Sequence, residues 1–162
     1  MPALQFFLGR RRRRGTPPVL PADLPTAIRL HLLADVALAA ALKGGVWWVE
    51  APPAKGRPGG GWPFAVFFFP MDIPQDISTQ KDVLHIGTLQ LSIFARNEDK
   101  ARRIADRAER LLTDSYLRFV GGRITYIRPG NPASFSRPEI GPGGGVIWQA
   151  IRQIHVEWNT HY

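Results

Sequence analysis

Four histidines, His31, His85, His155 and His161, are the residues from which this chain would have to build an imidazole metal centre. A zinc site legible in sequence places ligands at short fixed offsets, so that one turn or one helix face presents two of them together. Neither H-x-H nor H-E-x-x-H occurs, and the four read as unrelated side chains. Only His85 and His155 fall where paired strands could bring them together on a polar face. Cysteine is absent, which removes disulfides, thiolate nucleophiles and sulfur-ligated metals and fits a reducing compartment. The glycine runs GRPGGG (56–61) and GPGGG (141–145) lack both the following Lys-Ser/Thr and the strand-to-helix setting in which backbone N–H groups cradle phosphate. They read as loop tips. Ser134 and Ser136 sit in no G-x-S-x-G elbow, and Asp72, Asp76 and Asp82 lack the spacing of a calcium loop. Glu98 and Asp99 open a helix, where the macrodipole favours carboxylates without any catalytic duty. No catalytic, cofactor-binding or metal-binding residue is assigned, and the chain is not expected to be an enzyme.

What remains are groups that make contacts. Arg10, Arg11, Arg12, Arg13 and Arg14 are consecutive and supply five units of the formal net charge of +8, leaving only +3 for everything else. Basicity is therefore local. Like charges repel and Pro17, Pro18 and Pro21 oppose a helix, so residues 1–22 are expected to form a solvated basic arm. Such an arm could neutralise nucleic-acid phosphates or dock on an acidic protein surface. Of the five tryptophans, Trp148 and Trp158 lie on the apolar face of the last strand and read as core. Trp47 and Trp48 are adjacent, so a strand points them opposite ways. Trp48 as the outward one, and Trp62 in a Gly/Pro loop, are the candidate interface residues, since exposed tryptophan is favoured at interfaces.

The elements that position these groups follow from periodicity. Leu89, Leu91, Ile93 and Ala95 alternate with Thr88, Gln90, Ser92 and Phe94, as in a half-buried strand. After Asn97 the period changes: Ala101, Ile104, Ala105, Ala108, Leu111 and Leu112 form one helical stripe, with Arg102, Arg103, Asp106, Arg107 and Arg110 opposite. This strand and helix, packed on one another, build the core. A first helix is expected over 24–42, capped by Asp23, started by Pro25, stopped by Gly44–Gly45, and broken near Asp35 into a second short piece. Short strands are expected at 46–50, 64–69 and 124–127, and a long one from 146 on which only Arg152 intrudes among the apolar residues. Residues 51–63, 70–82 and 129–145 are Pro/Gly-rich and read as long loops. Loops over ~12 residues are usually functional or ordered by a partner. The expected fold is α+β: a mostly antiparallel sheet with two main helices packed on one face, in a single domain over 23–162. No apolar stretch approaches the ~18 residues of a membrane span, and the apolar opening precedes its positive charge, the reverse of a secretory signal. A soluble intracellular protein with no membrane partner is expected.

Four segments resemble one family when taken in order. LPTAIRLHLLADVALAAALKGGVWWVEAPP is similar to the N-terminal helix, Gly-Gly stop, short strand and proline loop of the tail-terminator (tail-completion, head–tail joining) proteins of long-tailed bacteriophages. GWPFAVFFFP resembles their next strand, LQLSIFARNEDKARRIADRAERLL their strand–helix unit, and IRQIHVEWNTH their closing strand. The resemblance spans about residues 24–160. The Arg-rich arm and the glycine-heavy 129–145 loop exceed its pattern. It implies a compact subunit forming a homo-hexameric ring that caps the tail tube and joins it to the head–tail connector. DNA would only pass through the lumen or be touched by the arm. It further implies a virion protein assembled in the host cytoplasm, without enzyme activity or cofactor. The alternative from the residues is a nucleic-acid-binding module using the Arg10–Arg14 arm and the arginine face of the 97–115 helix.

Overall fold

The computed structural model describes residues 19–75, 82–113, 115–130, 136–140 and 145–161. Helix α1 (Leu24–Ala34) begins where Asp23 accepts a hydrogen bond from the Thr26 amide at 2.7 Å, with Pro25 in the first turn. Asp35 ends it in an extended conformation and at once caps α2 (Val36–Ala41) by accepting from the Leu38 amide at 2.7 Å. One short carboxylate thus produces the break expected there. Helix α3 (Glu98–Leu112) is capped by Asn97, which accepts from the Lys100 amide at 2.9 Å.

The strands form one sheet: β1 (Val46–Trp48), β2 (Phe64–Gln75), β3 (Asp82–Ala95), β4 (Arg118–Phe119), β5 (Gly122–Pro129), β6 (Ser136–Ile140) and β7 (Val146–His161). Their order is β1-β2-β3-β7-β5-β4, with β6 also paired to β7. Among the described residues only β1–β2 is parallel. The α+β class and the mostly antiparallel sheet are therefore as the periodicity required.

Register explains the core. Leu89 lies opposite Ile154, Leu91 opposite Arg152 and Ile93 opposite Ala150, so alternate residues of both long strands share one face. Against that face α3 sets Ala101, Ile104, Ala105, Ala108 and Leu112, while α1 sets Ala27, Ile28 and Leu32. The small alanines let α3 approach closely, and each fully buried leucine or isoleucine contributes ~1.5–3 kcal/mol.

Two expectations need correction. The 70–82 loop is largely strand: after a bulge between Phe68 and Met71, residues 71–75 pair with 84–88, and only 76–81 lie outside the described residues. Pro70 and Pro74 are tolerated because β1 reaches only Ala65–Phe67, and among the described residues no other strand pairs with the outer side of β2 and needs a donor there. Likewise the 129–145 loop contains β6, whose Pro138 lies on a strand paired, among the described residues, on one side only. Proline suppressed the strand reading in both places because edge position cannot be read from a single segment.

Candidate functional site

Arg152, the residue out of pattern on β7, is 7% exposed. Its Nη2 donates to Asp106 Oδ1 at 2.6 Å, its Nε stands 3.5 Å from Glu109 Oε2, and its Nη1 donates to the Ile151 carbonyl at 2.9 Å. The cation therefore ties the central strand to α3. Burial pushes the Glu109 carboxyl up, Arg152 opposes that shift, and nearby Asp106 adds to it. On the other side of α3, Arg107 donates to both oxygens of Asp35, at 2.8 and 2.7 Å. These bonds, with the Leu38 amide, hold the Asp35 carboxyl down to about 2. Arg102 pairs with Glu98 at 2.8 Å and Arg110 donates to the Asp106 carbonyl at 3.2 Å. Three of the four arginines of that helix face, Arg102, Arg107 and Arg110, thus have partners within the fold.

His85 and His155 do not meet. His85 lies opposite Trp158 and stacks on it at 5.0 Å, while His155 lies opposite Thr88. The strands pair as expected, but an odd-to-even offset puts the two rings on opposite faces. His155 Nε2 is 2.9 Å from Glu157 Oε1, and His31 Nε2 is 2.7 Å from the Leu111 carbonyl. Among the described residues no group of three or more His, Asp or Glu side chains could hold a metal ion.

The contact candidates fare differently. Arg10, Arg11, Arg12, Arg13 and Arg14 lie outside the described residues. Trp48 is 40% exposed at the end of β1, its ring 5.2 Å from Phe67 and 5.9 Å from Phe69. Trp62 is half-buried against Phe64 at 4.9 Å. Arg57 covers that pair, its guanidinium carbon 3.8 Å from the Phe64 ring centre and 4.9 Å from that of Trp62. Its Nε and Nη1 are buried without a hydrogen-bond partner among the described residues, and burial pushes its pKa down. Next to it runs a groove of about 690 Å³, walled by Val49, Pro52, Arg57, Phe64, Phe68 and Phe94. Val49 itself is 60% exposed and held at φ 65°, a region that a β-branched residue rarely adopts.

Sequence reasoning missed Arg57, Val49 and β4. A single arginine in a Gly/Pro loop carries no periodic signal, and a two-residue strand is below the length at which alternation can be seen. Flanking β4, Tyr116 and Val120 are 86% and 64% exposed, and the Val120 amide donates to the Pro21 carbonyl at 2.8 Å. Arg118 and Arg123 stand opposite each other across β4–β5.

Exposed apolar side chains thus lie at the ends of the sheet, while Asp35–Arg107 and Arg152 with Asp106 and Glu109 tie α3 to its neighbours. The fold recurs in a chain of a solved structure titled "Virion of native gene transfer agent (GTA) particle". The match has a TM-score of 0.61 at 16% identity and covers 84% of this chain and 94% of that one. No curated protein sequence gives a significant match. The chain belongs to the tail completion protein gp17 family, whose model matches residues 26–153. It is a structural protein of the phage tail and a component of the virion.

Proposed function

We propose that copies of this chain close into a ring, six to a turn, that caps the tail tube and joins it to the head–tail connector. The reading is carried by membership of a tail completion family, whose model matches residues 26–153. DNA passes through the lumen without being read. The chain performs no catalysis and needs no cofactor: its role is to end one polymer and present a surface to the next. Residues 1–22 act as a basic arm appended to the domain over 23–162, and Arg10–Arg14 touch an acidic neighbour or the DNA in the channel. Trp48 and Trp62 belong to the contact surfaces.

Light scattering of the purified chain, with negative-stain images of the same sample, tests this reading. A mass near six times 18.1 kDa and annular particles are expected. A monomer that stays monomeric at high concentration and on addition of tail tube protein would overturn it.

A further inference from the structure

The sheet has two unlike ends. Strands β1 and β4 terminate it on opposite sides. Of the ten exposed large apolar side chains among the described residues, six lie at these ends: Trp48 and Val49 beside β1, and Val19, Leu20, Tyr116 and Val120 beside β4. Apolar surface collected at sheet termini rather than scattered marks contact regions. The charges differ in sign. Next to Val49 stands the exposed Glu50. At the other end Arg118 and Arg123 oppose each other across a strand pair, an arrangement that disfavours pairing unless an anion lies between them. Among the described residues none of these three side chains makes an ion pair. Both arginines also line a concavity of about 330 Å³ together with Tyr116 and Ile124. Finally, Val49 is held at φ 65°, with its amide donating to the Phe67 carbonyl at 3.0 Å, a turn that leaves its side chain exposed beyond the end of β1.

We propose that the β1 end of one copy docks on the β4 end of the next. Trp48 and Val49 cover Tyr116 and Val120, and Glu50 enters between Arg118 and Arg123. Two different patches that complement each other form a heterologous contact, which repeats head to tail and closes when the rotation allows. An isologous dimer would need one patch complementary to itself, and Arg118–Arg123 against its own copy would set four arginines together. The inference rests on the ring reading above and deepens it by naming the surfaces that meet.

The chain has no cysteine, so engineered thiols are unique. In the full-length protein, Val49→Cys with Val120→Cys, treated with a flexible bismaleimide, is expected to give a ladder of covalent species ending at the ring mass. Each single variant is expected to give no covalent dimer. Independently, Glu50→Arg is expected to raise the concentration for half-assembly by about tenfold or more. Adding Arg118→Glu and Arg123→Glu to it should restore assembly, with circular dichroism checking that each variant is folded. A ring by scattering without a ladder specific to the double variant, or without rescue by the charge swap, overturns the edge pairing and leaves the ring standing. A covalent dimer of Val49→Cys alone overturns it in favour of an isologous contact. A monomer with no ladder overturns both readings.

Discussion

Arg152 is the one cation buried in the core among the described residues, and removing it should cost less than removing its partners. Its side chain is 8% exposed, whereas those of Asp106 and Glu109 are 54% and 23% exposed. Replacing both carboxylates, Asp106→Asn with Glu109→Gln, leaves a buried guanidinium without a counter-charge, its hydrogen bonds limited to neutral amide oxygens and the Ile151 carbonyl. An orphaned buried charge costs ~3–5 kcal/mol, and the surviving bonds favour the lower end. Arg152→Met instead keeps the aliphatic stem between α3 and the sheet and frees two carboxylates that water can reach. The pair to Asp106 is worth no more than a partly exposed ion pair, so the cost is ~1 kcal/mol. Urea unfolding followed by tryptophan fluorescence, at fixed protein concentration, separates the two. With m near ~2 kcal/mol/M, the midpoint should fall by about 1.5 M for the carboxylate variant and about 0.5 M for Arg152→Met. The triple variant should return to the Arg152→Met value. If Arg152→Met fell as far as the carboxylate variant, the reasoning from buried charge would be wrong, and Arg152 would contribute mainly by attraction.

Val49→Gly relieves a β-branched residue at φ 65° and should raise subunit stability by about 1 kcal/mol, read as a melting shift of about 2–4 °C in dilute protein; a lower melting temperature would show that no strain is stored there. Gly44→Ala places a Cβ 2.5 Å from the Gly61 carbonyl oxygen and 2.9 Å from Phe64 Cβ, so the turn after α2 and the chain entering β2 must separate. A loss of ~1–3 kcal/mol in chemical denaturation is expected, and a neutral result would contradict that packing. Asp35 is held to about 2 against an ordinary 3.8. The unfolded chain binds its proton first, so stability conferred by Asp35 is complete above about pH 4 and is lost as pH falls towards 2. Acid unfolding of Asp35→Asn should lack that component; an unchanged acid limb would show that the Arg107 clamp is not what titrates.

The helices were legible because their signals are local. Asp23, Asp35 and Asn97 are short acceptors placed three residues before the amides they cap, and α3 carries a stripe that one helix face must bury. The two long strands were legible because the period of two persists through Leu89–Ala95 and Val146–Trp158. The family was legible as well: a resemblance in the order of four segments pointed to the tail completion proteins. Tertiary structure decided what depends on neighbours. Whether Pro70, Pro74 and Pro138 interrupt a strand or ride its edge depends on which side lacks a partner, and no residue encodes that by itself. Register placed His85 and His155 on opposite faces, a matter of a single-residue offset between strands far apart in sequence. Arg152 looked like an intruder on an apolar face until α3 supplied Asp106 and Glu109 across the core. The ends of the sheet came last of all. Trp48 and Val49 become an edge only when β1 joins β2, and Arg118 faces Arg123 only when β4 folds back on β5, because an edge is a property of the assembled sheet and not of any strand in it.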